Sequence, residues 1–190
     1  MIQQIDTVSR KKYINAYQNV IDYDEEGREK HSLVYLGEYF EVDLDQEGLR
    51  RFRLTQVFLF VAVLLIHIGL GFLNHAGGRV LYVAVPYAIA FFPLLYWAFG
   101  VFRMPSKKQE FRQEHIGLSF DRVKNMSLTT AIAAGITALG MLIFIILFRN
   151  TSVWIELLFL LGEIIVLCLA IYAYVLSKKL KITKIEKPQS

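Results

Sequence analysis

The chain has 190 residues, of which 55% are apolar and 20% are charged, and its formal net charge is +4. The apolar residues are concentrated in four long blocks, whereas a soluble domain would distribute them among polar faces, so an ordinary soluble fold is excluded. The basic residues lie beside these blocks, which is typical of orientation signals and contacts with anionic lipid rather than of nucleic-acid binding.

Residues 1–53 form a polar N-terminal arm that is too short for a robust core of its own. Apolar and aromatic residues recur in it at helical spacing and predict an amphipathic helix over about residues 9–21. These residues are Tyr13, Ile14, Tyr17, Val20 and Ile21. Such a helix either lies on the lipid surface or packs beneath the membrane-embedded part. Residues 33–42, rich in Tyr, Phe and Val, predict a strand or a second helix.

Four apolar blocks predict transmembrane helices, because a hydrocarbon core of about 30 Å requires roughly 20 apolar residues in a helix. The blocks are residues 54–73, 80–102, 127–148 and 153–176. Lipid offers no partners for open backbone groups, so each block must be helical. A loop of residues 103–126 joins the second and third spans, and residues 177–190 form a basic tail. We therefore predict an all-α membrane protein with four transmembrane helices arranged as two antiparallel hairpins.

Lysine and arginine are distributed unevenly about the four spans. Nineteen of the 21 lie in the arm, the long loop or the tail, and only Arg79 and Arg149 lie in the short connections on the other side. The positive-inside rule then predicts cytosolic N- and C-termini, with anionic lipid headgroups contacted on the cytosolic side. We expect a multi-pass protein of the plasma membrane. Two pairs of glycines lie 69 residues apart and indicate a parallel tandem repeat of the two halves: Gly48 with Gly117, and Gly71 with Gly140.

Glu163 is the strongest functional candidate, because it lies near the middle of the fourth span. Inserting a carboxylate into the membrane at that depth costs about 2.5 kcal/mol of free energy or more. Glu156 lies seven residues earlier on nearly the same face, about 10 Å nearer the outer surface. His67 lies near the level of Glu163, so the two can pair if the first and fourth spans adjoin. The three residues predict either a proton or cation path or a structural contact in which Glu163 and His67 share a neutral hydrogen bond. The neutral bond is the favoured interpretation.

Pro86 and Pro93 share one face of the second span, where each removes a helix hydrogen bond and predicts a kink. The kink serves either packing or a binding cavity. Tyr82, Tyr87 and Tyr96 then either supply hydroxyl groups to such a cavity or, for Tyr82 and the Tyr96–Trp97 pair, form interfacial belts. In the third span, small residues at helical spacing predict a close helix contact within the bundle or between protomers. They are Ala131, Ala134, Gly135 and Ala138.

No catalytic or nucleotide-binding motif is present, and the four histidines are scattered along the chain, so we expect no metal, no cofactor and no enzyme activity. A minimal enzyme constellation would be His115 with Glu114 and Asp121. We predict instead an accessory, scaffold or interaction subunit of a larger membrane complex. The alternative is a small homodimeric transporter or channel, proton-coupled through Glu163.

Overall fold

The computed structural model describes residues 17–23, 29–35, 37–107, 110–148 and 153–185. Four of its helical segments are long and apolar enough to cross a membrane: Gln46–Gly71, Leu81–Phe102, Gln113–Leu147 and Val153–Lys178. Large apolar side chains, among them Phe58, Leu65 and Leu139, are exposed along these segments. In water such a surface would be unstable, whereas in lipid it is the expected exterior. The chain is therefore an integral membrane protein.

Among the described residues, the first elements in chain order are three strands, β1 (Tyr17–Tyr23), β2 (Glu29–Tyr35) and β3 (Tyr39–Val42). The first span is α1 (Gln46–Gly71), followed by a 3₁₀ turn (Gly77–Arg79) and the two parts of the second span, α2 (Leu81–Ile89) and α3 (Phe91–Phe102). Then come β4 (Phe111–Arg112) and α4 (Gln113–Leu118), which leads into the third span, α5 (Phe120–Leu147). The chain continues through the fourth span, α6 (Val153–Lys178), to β5 (Ile182–Ile185).

The four spans enclose two clusters of buried apolar residues, and the larger one includes residues from all four spans. Helix α6 packs along α5 and α1, while α2 and α3 pack on α5, with α3 also touching α1. Val63, Trp97, Ala134 and Val166, one from each span, are fully buried in the larger cluster. The first and fourth spans therefore adjoin, which is the arrangement that a contact between His67 and Glu163 requires.

Three strands form a small sheet at the end of the bundle where α1 begins and α6 ends. The strand order is β4-β3-β5, and both pairings are antiparallel. Phe40 lies opposite Phe111 on one side and Lys184 on the other. Phe111 is fully buried, and its ring lies 6.1 Å from that of Phe120 in α5, so the sheet shares its core with the bundle. We call this part of the molecule the sheet end, and the opposite part, around Gly77–Arg79, the turn end.

The predicted amphipathic helix over about residues 9–21 is wrong for the part that the structure describes. Residues 9–16 lie outside the described residues, but Tyr17–Tyr23 is strand β1, paired in antiparallel register with β2 from Tyr17 opposite Tyr35 to Tyr23 opposite Glu29. Tyrosine, valine and isoleucine favour strands, and a neighbouring strand that satisfies the backbone outweighs a weak helical periodicity. Residues 33–42 contribute to two strands, β2 and β3, on either side of Gly37.

The second span is interrupted between its two prolines. Helix α2 ends at Ile89 and α3 begins at Phe91, while the intervening Ala90 keeps helical dihedral angles of φ −60° and ψ −20°. Pro86 lies inside α2, and Pro93 is the third residue of α3, in the first turn, where a missing N–H removes no internal hydrogen bond. The second span is therefore interrupted in its helical hydrogen bonds, while the chain keeps its direction.

Candidate functional site

A histidine and a glutamate meet in the interior of the bundle. His67 of α1 and Glu163 of α6 have side chains that are only 1% and 0% exposed, and His67 Nδ1 lies 3.4 Å from Glu163 Oε1. This distance is within the range of an ion pair, but the two groups are not aligned for a hydrogen bond, and both oxygens of Glu163 lack a hydrogen-bond partner. The two residues meet, as expected if the first and fourth spans adjoin, but the neutral hydrogen bond that the sequence analysis favoured is not formed between them.

The tautomer of His67 follows from its second nitrogen. Nε2 lies 3.2 Å from the carbonyl oxygen of Tyr87, which can only accept, so Nε2 carries a hydrogen and donates it. The contact at Nδ1 then joins either a glutamic acid and a neutral ring or a carboxylate and an imidazolium. In both cases the pair has no net charge, as a buried position in a low-dielectric interior requires.

Tyr87 holds His67 from the second span. Its hydroxyl group donates to the carbonyl oxygen of His67, and the two rings lie 4.2 Å apart at an angle of 31°. The ring of Phe91 lies 4.8 Å from that of His67. His67 is therefore fixed by backbone and ring contacts from α2 and α3 in addition to its carboxyl partner on α6.

A second histidine–glutamate pair lies at the turn end. Glu156 of α6 is 2% exposed, and its Oε1 accepts hydrogen bonds from the backbone N–H groups of Ala76 at 2.7 Å and Gly77 at 3.3 Å. Its Oε2 lies 3.1 Å from Nδ1 of His75. The N–H group of Gly78 also points at Nδ1 of His75, at 3.0 Å. Nδ1 of His75 can bind only one of these partners at a time. When it carries a hydrogen it donates to Glu156, and when it carries none it accepts from the N–H group of Gly78.

His75 was missed from the sequence, although its spacing carried a signal. His67 and His75 are eight residues apart, and Glu163 and Glu156 are seven apart in the opposite direction along the chain. Each residue advances a helix by about 1.5 Å, so Glu156 lies about 10 Å nearer the turn end than Glu163, and His75, four residues past the end of α1 at Gly71, lies in the connection at that end. Glu156 therefore binds the connection between the first and second spans.

A cavity of about 260 Å³ opens beside this second pair. Its lining includes His75, Gly78 and Arg79 of the connection, Tyr87 of α2 and Phe159 of α6. The ring of Phe159 lies 4.2 Å from that of His75 and 5.6 Å from that of Tyr87. Because Tyr87 also stacks on His67, one aromatic side chain separates this cavity from the Glu163–His67 pair. Tyr87 thus lines a cavity, while its hydroxyl group binds the carbonyl oxygen of His67.

Trp97 is not part of an interfacial belt. Its side chain is fully buried, with its ring 5.9 Å from that of Phe60, whereas the adjacent Tyr96 is 53% exposed. The two residues lie on different faces of α3, because adjacent residues on a helix are about 100° apart around its axis. The belt interpretation is therefore wrong for Trp97, which is a core residue between the second and first spans.

The small residues of the third span lie mostly inside the bundle. Ala131, Ala134 and Ala138 are buried, and Gly135 is half-buried. A Cβ added at Gly135 would meet Leu167 at 3.8 Å, an ordinary contact. The close approaches lie elsewhere: a Cβ at Gly140 would lie 2.9 Å from the carbonyl oxygen of Tyr82, and one at Gly162 would lie 2.4 Å from Leu70 Cδ2.

The residues of the minimal enzyme constellation are not gathered into one site. Nε2 of His115 lies 4.0 Å from Glu114 Oε1, while Asp121 forms its ion pair with Lys124, 3.4 Å away. Within the described part of the chain, no group of three or more histidine, cysteine, aspartate or glutamate residues is placed to hold a metal ion.

The fold and its buried pairs define a class, an integral membrane protein with four candidate spanning helices and two internal histidine–glutamate contacts. No protein-family model, curated protein or solved structure matches this chain.

Proposed function

We propose that the protein is an accessory or scaffold subunit of a larger membrane complex, which it contacts through its sheet end. One observation carries this proposal: strands β3, β4 and β5 come from three segments far apart in the sequence and join in one sheet. A sheet that shares a core with the bundle presents these segments as one ordered surface, which is what a contact with a protein partner requires.

The interior of the bundle supports a structural role for its polar residues. Gln56 of α1 is fully buried and donates to Ser177 Oγ at 3.0 Å and to the carbonyl oxygen of Ala173 at 3.2 Å, both on α6. Glu156 binds the connection between the first and second spans, and Glu163 faces His67 rather than water. Interhelical polar contacts of this kind hold membrane bundles together.

The proposed topology places the sheet end in the cytosol. The four spans then form two antiparallel hairpins, related as a parallel tandem repeat, with both termini inside and the protein in the plasma membrane. The support is the charge distribution, because 19 of the 21 Lys and Arg residues belong to the segments on the sheet side. Single cysteines at Asn74 and at Ser106, introduced with Cys168→Ser, test it in intact cells. A membrane-impermeant thiol reagent should label only the cysteine at position 74; labelling of position 106 alone would reverse the topology.

Site-specific photocrosslinking tests the accessory role. A photoreactive residue at Thr183, exposed on β5, should give one adduct of defined mass with a membrane-complex subunit in near-stoichiometric yield. The matched control is Leu139, which is 62% exposed on α5 and faces lipid in this proposal. Equal adduct yields at Thr183 and Leu139 would contradict an accessory role at the sheet end. Adducts that contain only a second copy of the chain would contradict it too.

The second candidate function is a homodimeric transporter or channel that is proton-coupled through Glu163. The observation that favours it is Tyr87, which lines the turn-end cavity and stacks on His67. Proton flux into liposomes containing the purified protein tests it. Under this candidate, Glu163→Gln abolishes flux while Leu161→Ala, an exposed position on the same helix, leaves it unchanged. An absence of flux for the unsubstituted protein, or full flux for Glu163→Gln, would exclude proton coupling.

A further inference from the structure

We propose that the sheet end contains a binding site for one anionic phospholipid, in a cavity between the start of α1 and the end of α6. The cavity has a volume of about 500 Å³. Two of its lining residues, Asp43 just past β3 and Lys181 just before β5, are joined by a hydrogen bond from the N–H group of Asp43 to the carbonyl oxygen of Lys181 at 3.0 Å. The occupant is inferred from the chemistry of the lining.

The polar part of the lining is predominantly basic. Arg51, Lys179 and Lys181 line the cavity together with one acidic residue, Asp43. Arg51 also pairs with Glu47 at 2.5 Å, but both side chains are strongly exposed, 76% and 68%, so this pair is weak and can admit a phosphate. Arginine and lysine bind phosphate oxygens through charge-assisted hydrogen bonds, and basic cavities between spans bind anionic headgroups.

Much of the remaining lining is apolar, which distinguishes a lipid from a free anion. Phe52, Tyr172 and Leu176 form a wall on α1 and α6. About one and two turns beyond Arg51 on α1, Leu54 and Phe58 are 57% and 71% exposed, so the cavity lies next to the lipid-facing surface. A phospholipid matches both parts of the lining. Its phosphate can bind the basic residues, and its glycerol and first acyl carbons can pack against the apolar wall.

Native mass spectrometry of the full chain in detergent tests the site, with dioleoyl phosphatidylglycerol and dioleoyl phosphatidylcholine as probes. The protein should retain one phosphatidylglycerol and release phosphatidylcholine. The triple variant Arg51→Gln, Lys179→Gln, Lys181→Gln should weaken phosphatidylglycerol binding at least about ten-fold. The matched control is Arg50→Gln, Arg103→Gln, Lys107→Gln, which removes three exposed charges outside the cavity and should change binding less than about three-fold.

Equal losses in the two triple variants would show attraction to diffuse surface charge and would overturn the proposal, as would full binding by the first variant. Inorganic phosphate distinguishes a lipid from a free anion. If millimolar phosphate displaces the lipid, the site is one for small anions and the proposal fails. Tyr172→Ser, which changes a lining residue that is 56% exposed, should weaken phosphatidylglycerol binding. Unchanged lipid binding in this variant would contradict the role of the apolar wall.

Discussion

Nδ1 of His67 lies 3.4 Å from Oε1 of Glu163 on a different span, and the two side chains are only 1% and 0% exposed. Helix α6 contributes the carboxyl group of a second pair of the same composition, Glu156 with His75 of the connection that follows α1, at 3.1 Å. The first pair is shielded by aromatic rings, whereas the second holds backbone N–H groups of the turn end. The two pairs therefore have different physical roles and respond differently to substitution.

Substitutions at Glu163 should separate the polarity of its side chain from its charge. Glu163→Ala removes the carboxyl group that faces the buried Nδ1 of His67 and should lower the free energy of unfolding by about 1–3 kcal/mol. Glu163→Gln keeps an N–H group that can donate to Nδ1 of His67, so it should cost less than about 1 kcal/mol. Thermal unfolding in detergent measures both, with Ile164→Ala at a 42% exposed position as the control. A glutamine variant as unstable as the alanine variant would show that the pair is an ion pair.

Removal of the Glu156 carboxylate should loosen the turn end alone. Glu156→Ala leaves the N–H groups of Ala76 and Gly77 without their acceptor, so peptides covering residues 74–79 should exchange amide hydrogen faster, by about ten-fold or more. Hydrogen–deuterium exchange with mass spectrometry measures this, and Leu157→Ala at the adjacent exposed position is the control. Unchanged exchange at residues 74–79, or equal acceleration in the sheet, would contradict a local role.

The close approach at Gly140 should tolerate no side chain. Gly140→Ala places a methyl group 2.9 Å from the backbone carbonyl oxygen of Tyr82, which cannot rotate away, so the second and third spans must separate. The expected loss of stability is about 1–3 kcal/mol. Gly69→Ala is the matched control, because nothing lies within 4 Å of a Cβ added there. If thermal unfolding shows equal stability for the two variants, the spans are not packed as described.

A disulfide should form across the sheet. Glu41 of β3 lies opposite Thr183 of β5, and directly opposed residues of antiparallel strands are close enough for a disulfide. In a Cys168→Ser background, Glu41→Cys with Thr183→Cys should crosslink on mild oxidation, as a mobility shift on a denaturing gel shows. The control pairs Glu41→Cys with Lys184→Cys, where a shift of one residue turns the side chain to the other face. Crosslinking of both pairs alike would show that the register is wrong.

Hydropathy alone was sufficient to locate the spans, because their apolar length is set by the thickness of the bilayer. The helices extend past the predicted blocks at the sheet end: α1 begins at Gln46 rather than at residue 54, and α5 begins at Phe120 rather than at residue 127. Asp45 explains the first difference, because its side chain accepts from the N–H group of Gly48 at 2.8 Å and caps the helix. Hydropathy does not show that a helix includes a polar turn before its apolar block.

The depth of Glu163 and His67 could also be predicted, since helix rise converts sequence position into level. Their contact could be predicted only conditionally, because the sequence does not say which spans adjoin. The burial of Trp97 and the close approach at Gly140 depend on the rotation of each helix about its axis. In spans that are apolar on every side, the hydrophobic pattern does not reveal that rotation.

The sequence by itself indicated an integral membrane protein with four helices long and apolar enough to span a bilayer, and a carboxyl group deep in the last of them. The thickness of the bilayer sets the length of each apolar segment, and the free-energy cost of a buried charge makes a carboxyl group within such a segment rare. Both effects can be recognised within a single stretch of sequence. Only the tertiary structure decided that β3, β4 and β5 form one sheet and that Glu156 binds the connection around His75. Those contacts join residues about 70 to 145 positions apart, and the strands involved are two to four residues long, too short for a periodicity to predict.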